Sequence, residues 1–380
     1  MFRQALAALA CATALTVPAI AQTFETDAGS VTLDPIVEGL QSPWGMVFLP
    51  DDSMLVTERP GNLRHVSTDG TISEPIAGIP EVVFQGQGGL LDVALDPEFA
   101  ANRYVYVSYA EPGEQEGTNS TAVARGVLSE DMSELSDVEV IFSQQPKLPS
   151  NLHFGSRLTF DNDGYLFITT GERSNAEFRV QAQDLDSHLG KVIRIMPDGT
   201  VPEDNPFVGT DGALPEIWSY GHRNVQGAAL HPDTGELWVA EHGPRGGDEL
   251  NRIVEGGNFG WPLLTEGTEY SGDPINPPEV LPDQLVEAER TWVPSPAPSG
   301  LAFYTGDLFP DWQGDAFMGA LAGTDLIRID LEGEEVLGDE FLFGDDFPHR
   351  IRDVTQGPDG ALYLTTDADP GQILRLSPAQ

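Results

Sequence analysis

Two glycine-rich clusters of polar and cationic residues flank one short extended segment between Ser219 and Glu249. The order is SYGHRNVQGAAL, then HPDTGELWVA, then EHGPRGGDE, with His222, Arg223 and Asn224 before the segment and Glu241 to Glu249 after it. Glycine lets backbone approach a ligand closely, and successive turn amides or carbonyls can then face an anion or a cation. Arg223 offers a planar, permanently charged fork that suits a carboxylate or carbonyl oxygen. Gly243 and Pro244, close to Asp248 and Glu249, form a turn rich in oxygen donors. Calcium takes roughly six to eight such oxygens. The plainer reading is a pair of well-capped turns with hydrogen-bonded polar residues.

Three further places carry candidate chemistry. Gln87 sits in the glycine-flanked turn Gln85-Gly86-Gln87-Gly88-Gly89-Leu90-Leu91-Asp92. His153 lies in Leu148-Pro149-Ser150-Asn151-Leu152-His153-Phe154-Gly155-Ser156-Arg157, a loop that precedes a strand. Histidine is the side chain most readily poised as a general base near neutral pH. In His349-Arg350-Ile351-Arg352-Asp353, strand alternation puts Arg350 and Arg352 on one face. Two same-face cations suit an anionic ligand; the plainer reading pairs them with nearby carboxylates such as Asp345 and Asp346. Other chemistries fit less well, and although so acidic a chain leaves paired glycosidase carboxylates open, no pair is singled out. There is no G-x-S-x-G elbow, no H-E-x-x-H helix and no G-x-G-x-x-G inside a βαβ unit.

The elements that must position these residues form a repeat. Six times a turn with Asp, Pro or Gly precedes a short β-rich strand: SMLVTER, RYVYVSYA, YLFITTGE, ELWVAEHG, AFMGAL and ALYLTTDA. A second strand follows each, in NLRHVS, AVARGVLS, KVIRIMPDG, LNRIVEGG, LIRIDLEG and ILRLSPA. Each pair reads as a hairpin of β-branched and aromatic residues. Helical periodicity is almost absent, and the chain holds 41 Gly and 30 Pro. This is an all-β chain. Six similar strand pairs predict a six-bladed β-propeller, because radial repetition protects strand edges and builds one continuous core. Residues 22–380 are expected to form this single domain. Long inter-blade loops, the largest at Pro202 to Pro215 and Thr265 to Pro298, are expected to shape one face.

The N-terminus reads as a secretory signal over residues 1–21. Arg3 is followed by the apolar run Ala5 to Val17, and Ala19-Ile20-Ala21 is a small-x-small cleavage site before Gln22. The expected location is therefore periplasmic or secreted. Cys11, the only cysteine, lies in that signal, so no disulfide is expected in the mature chain. No later segment is apolar for long enough to span a membrane. Acidic residues number 61 and basic residues 19, a net charge of −42, and only Lys147 and Lys191 are lysine. Such a surface repels nucleic acid and anionic membranes. The carboxylates are dispersed rather than gathered in a tail, which fits solubility in a salty medium better than an acidic docking patch.

Together these places resemble the soluble, pyrroloquinoline-quinone-dependent aldose sugar dehydrogenases, the family related to soluble glucose dehydrogenase. G-Q-G-G-L-L-D, L-P-x-x-x-H-x-G-x-R-L, G-H-R-N-x-Q-G, E-H-G-P-R-G-G-D-E-x-N, N-F-G-W-P and R-I-R-D-V occur in the family's order, from about Leu33 to Pro378. The resemblance implies a six-bladed propeller that oxidises aldoses at C1 to lactones with the quinone and Ca2+ as cofactors. It implies that His153 is the general base for the anomeric hydroxyl and that Gln87 lies near cofactor and substrate. Arg223 would contact the reactive quinone oxygen beside Asn224, and Arg350 and Arg352 would hold the cofactor. The carbonyls of Gly243 and Pro244 would bind a calcium shared with the quinone. Glu249 and the carbonyl of Phe259 would bind a second, structural calcium. An electron acceptor must exist, and the sequence does not identify it.

Two positions depart from the family. Leu152 stands where glucose-active members often carry an acidic residue, which removes a polar contact to sugar. Ala322 follows Gly319-Ala320-Leu321, where the family often has a cofactor-binding basic residue. Losing that cation can cost on the order of 1–3 kcal/mol. Two alternatives stay open: a propeller that only binds sugar or protein, and a calcium-dependent lactonase-like hydrolase. The hydrolase would need carboxylate ligands in the central channel and no arginine pair.

Overall fold

The computed structural model of the protein describes residues 21–275, 282, 284–344 and 347–379. The expected signal, with Cys11, lies outside the described residues except for Ala21, and so do Asp345 and Asp346. Six antiparallel sheets form the blades of a propeller. Blade 1 comprises Pro43–Phe48, Met54–Glu58 and Asn62–Val66. Blade 2 comprises Leu90–Leu95, Tyr104–Pro112, Asn119–Leu128 and Leu135–Ser143. Blade 3 comprises Gly155–Phe160, Leu166–Thr170, Lys191–Ile195 and Ile217–Tyr220. Blade 4 comprises Val225–Leu230, Leu237–Glu241, Asp248–Arg252 and Arg290–Trp292. Blade 5 comprises Pro298–Phe303, Ala316–Ala320, Asp325–Glu332 and Glu335–Phe341. Blade 6 begins with Ile351–Gln356, Leu362–Thr366 and Gly371–Pro378. Its outer strands come from the other end of the sequence: Gly29–Leu40 pairs with Gly371–Pro378, and Gln22–Thr26 pairs with Gly29–Leu40. The ring is closed by strand pairing between the two ends of the propeller.

The sequence hairpins are the second and third strands of each blade. They stood out because the second strand is sandwiched between two neighbouring blades. Met54–Glu58, Leu166–Thr170, Leu237–Glu241, Ala316–Ala320 and Leu362–Thr366 are buried at every position. Strands covered on both faces read as continuous apolar runs. Six large hydrophobic clusters fill the six junctions between adjacent blades, such as Phe317, Ile351 and Leu362 between blades 5 and 6. Each large side chain buried in such a layer contributes about 1.5–3 kcal/mol. Helix is confined to Phe99–Asn102 and two short 3-10 turns among the described residues.

The first strands ring the central channel, and each contains a β-bulge near its start. A bulge inserts a residue and re-aims the side chains beside it. Trp44, Asp92, Arg157, Gln226 and Arg352 all fall within these irregular stretches. Of the two long insertions, Thr265 to Pro298 reaches the blade end that carries Gly243 to Gly247, as the Arg245–Thr268 bridge shows. Pro202 to Pro215 follows a third strand, so it leaves the opposite end of blade 3, and its Phe207 packs on Tyr220.

Candidate active site

Antiparallel alternation decides which residues meet. Chain that opens a first strand and chain that closes a second strand emerge at the same end of the propeller. In four blades the acid at or just past the end of the second strand binds a residue one to three positions before the first strand of the same blade. Glu58 accepts from the Gln41 amide at 2.8 Å, and Glu172 lies 3.0 Å from His153 Nδ1. Glu241 lies 2.8 Å from His222 Nδ1, and Asp367 pairs with Arg350 at 3.0 Å. These four acids lie in the segments TER, TTGE, AEHG and TTDA. The repeat was visible in the sequence, but Glu172, Glu58 and Asp367 were read there only as strand ends.

His153 sits at φ 49°, a left-handed conformation that costs a non-glycine residue on the order of 1–3 kcal/mol. Its neighbours over-determine that geometry. Its amide donates to Gln87 Oε1 at 2.7 Å, and its carbonyl is so close to Gly171 that a Cβ there would lie 2.1 Å away. His153 is 5 % exposed and Glu172 1 %. A carboxylate at Nδ1 fixes the proton there and leaves Nε2, which has no hydrogen-bond partner among the described residues, as the basic nitrogen. Burial first, and then the Arg223 guanidinium, pull the imidazole below its ordinary value despite the opposing pull of Glu172. It is therefore unprotonated at neutral pH.

A cavity of about 440 Å3 opens beside this pair. Gln87, Arg350 and Arg352 line it together with Trp44, Arg59, Gln226, His242, Ala322 and Asp367. The expectation that Arg350 and Arg352 share a face by strand alternation is corrected. Arg350 precedes the strand and Arg352 lies at its bulge. Both nevertheless converge on one carboxylate, Asp367, each at 3.0 Å. This is the ion pairing weighed from the sequence, made with a different acid.

A second cavity of about 10 Å3, room for one water-sized guest, adjoins the first. Arg223, Gly243, Glu249 and Phe259 line it, and His242 is common to both. Pro244 is buried in the same turn but lines neither cavity; it packs against Gly267. Arg223 Nη1 donates to the carbonyls of His242 and Gly243, and its amide donates to Glu241 Oε2 at 2.7 Å. Its Nε is buried without a hydrogen bond, as is Asn224 Nδ2. Asn224 Oδ1 accepts from the Gly155 amide at 3.1 Å. Burial, reinforced by Glu241, Asp248 and Glu266, pushes the Glu249 carboxyl up to about 8. His242 was not singled out from the sequence. Its Nε2 donates to the Pro298 carbonyl at 2.6 Å, and Nδ1 has no hydrogen-bond partner among the described residues.

Beneath the larger cavity the channel axis is closed by charge. Arg157 Nη1 lies 3.2 Å from Asp92 and 2.9 Å from Asp353, and its guanidinium stands 4.3 Å from the Trp44 ring centroid. The remaining carboxylate oxygens accept the Leu158 and Met46 amides. A Cβ at Gly300 would sit 2.2 Å from Asp353, so only glycine fits there. A hydrolase metal would need carboxylates facing the channel, and here Asp92 and Asp353 are both engaged by Arg157 and a backbone amide. Among the described residues no cluster of His, Cys, Asp and Glu suits a metal by itself, and no helix is long and apolar enough to cross a membrane.

The chain matches the family described as glucose/sorbosone dehydrogenase over residues 40–375. It is 46% identical over 353 residues to the aldose sugar dehydrogenase YliI of Escherichia coli (strain K12), covering 92% of this chain and 93% of that protein. The apo-form crystal structure of the soluble aldose sugar dehydrogenase from Escherichia coli superposes with a TM-score of 0.87 at 45% identity, covering 92% of this chain and 100% of that one. The PQQ-bound aldose sugar dehydrogenase from Streptomyces coelicolor gives 0.73 at 28% identity, with 91% and 98% covered.

Proposed function

Because this chain belongs to the glucose/sorbosone dehydrogenase family, we propose that it is a quinoprotein that oxidises aldoses at C1 to lactones, with pyrroloquinoline quinone and Ca2+ as cofactors. The observation that carries the reading is the His153–Glu172 pair beside an arginine-lined cavity. The residues present fit a polyanionic planar quinone. Arg59, Arg350 and Arg352 supply charge, the Trp44 ring supplies an apolar wall, and the buried Nε of Arg59 makes no hydrogen bond, nor does that of Arg223, which lies 3.8 Å from Glu172 Oε1. They also fit calcium. The smaller cavity has room for one ion among Glu249, Glu241 and the Phe259 turn. A divalent cation there would remove the penalty that holds the Glu249 carboxyl up. The carbonyls of Gly243 and Pro244 are the proposed ligands of the quinone's calcium. Since Gly243 already accepts from Arg223, that oxygen would use its second lone pair.

The quinone, when bound, supplies a two-electron acceptor for hydride from sugar C1. His153 takes the proton of the anomeric hydroxyl on Nε2, the nitrogen left free by Glu172. Glu172 then faces the imidazolium that forms and stabilises it. Gln87 fixes the His153 backbone in its left-handed turn. Arg223 and Asn224 bring buried N–H groups that make no hydrogen bond in the protein, where they would stabilise developing negative charge. Leu152, 38% exposed near the base, presents no hydrogen-bonding group to sugar, which favours broad acceptance of aldoses over strict glucose preference. Residues 1–21 are proposed to direct the chain to the periplasm or the medium.

Adding calcium and pyrroloquinoline quinone to the apo-protein should produce dye reduction with a panel of aldoses, and no reduction in the absence of either. Failure of the loaded protein to oxidise any aldose would sink this reading. His153→Ala should lower turnover by about 10²–10⁴-fold, and survival within tenfold would show that another group is the base.

A further inference from the structure

The charge around the larger cavity does not add up to what the arginine pair promised. Arg350 and Arg352 share Asp367, so the three together present one net positive charge, not two. Ala322, on the same wall system, adds none. Arg59, which closes the TER segment of blade 1, also lines this cavity. Its Nη2 donates to the carbonyls of Gly86 and Gly88, on either side of Gln87. Its Nε is buried with no hydrogen-bond partner, and among the described residues no carboxylate lies within ion-pair distance of Arg59. Burial first, and then the nearby Arg352 and Arg350, destabilise its charged form, with Asp367 opposing. A cation so placed is relieved by an anionic guest.

We propose that Arg59 is a cofactor-binding residue that supplies, from blade 1, the positive charge missing at Ala322, so that the cavity receives the carboxylates of an anionic quinone through Arg59, Arg350 and Arg352. The proposal rests on the quinoprotein reading above. It assigns Arg59 two tasks at once. The Nη2 amino group holds the turn that carries Gln87, and Nε and Nη1 are left for the guest. An N–H donor to a carboxylate is stronger than one between neutral groups, and geometry-matched arginine is the residue best suited to it.

Binding of pyrroloquinoline quinone to the calcium-loaded mature apo-protein, followed by absorbance in the absence of sugar, tests this without reference to turnover. Arg59→Gln should weaken binding about 10- to 100-fold, and Arg59→Gln combined with Ala322→Lys should recover most of the loss. Arg59→Lys should fall between, since it keeps the charge and loses the fork. Binding by Arg59→Gln within twofold of the unchanged protein overturns the proposal. So does a loss that Ala322→Lys does not repair, because Arg59 would then act only by holding the Gly86–Gly88 turn. If the unchanged protein binds no quinone, the quinoprotein reading itself fails and the proposal goes with it.

Discussion

At the scale of single residues, the site is a set of charges whose partners set their roles. His153 is held below its ordinary value by burial and Arg223, against the pull of Glu172. The sign follows directly. A depressed value keeps the imidazole in its basic form below pH 6.5, so kcat/KM should stay flat down through that pH and fall only in more acidic solution. Glu172→Gln removes the group that raises the imidazole. The acid limb of the profile should therefore move to still lower pH, while kcat falls by on the order of 10²-fold or more. A loss of rate with an unmoved limb would show that Glu172 acts only as scaffolding. His153, Arg223 and the Arg350–Arg352 pair were legible because a histidine or paired arginines in a loop of so acidic a chain are conspicuous. Glu172, Asp367 and Arg59 were not, because each lies one or two residues past a buried strand and reads there as its continuation. Their common position across repeats was the available signal.

At the scale of elements, the loop from Gly171 to Gly190 supports the turn that carries Arg223. The Gly221 amide donates to Ala182 and the His222 amide to Gly190. That loop is gathered by Lys191, which is wholly buried and donates from Nζ to the carbonyls of Gln181 at 3.0 Å, Ala182 at 3.0 Å and Leu189 at 2.6 Å. Lys191→Met should leave three carbonyls short of donors and lower stability by on the order of 3 kcal/mol. The urea midpoint should fall at unchanged slope; an unchanged midpoint would mean the loop holds itself. Sequence periodicity located the second and third strands well, since they are long, apolar and bounded by turns. It missed the first strands, whose bulges break the alternation on which strand reading depends. Arg157 and Arg352 reach the axis and the cavity from such bulges, so no spacing rule could have placed them.

At the scale of the whole molecule, a net charge of −42 coexists with a cavity lined by arginine. Salt acts on the two in opposite directions. Screening the dispersed carboxylates weakens self-repulsion, so stability to urea should rise between about 0.01 and 1 M NaCl, where the Debye length shrinks from about 30 to 3 Å. Over the same range the affinity for an anionic quinone should fall. Parallel changes in both quantities would contradict this division between surface and site. The six-fold architecture was legible from its repeats, whereas the way the ring closes was not, because nothing in Gly29–Leu40 names Gly371–Pro378 as its partner. That pairing sets an order of events during synthesis. Gly29–Leu40 leaves the ribosome among the earliest strands, yet the strand it must pair with is among the last to be made. Contacts so far apart in sequence form slowly, so the early strand spends almost the whole of translation with an open edge. Asp34, Pro35 and Glu38, with bulges on either side of Val37, make that edge a poor template for foreign strands while it waits.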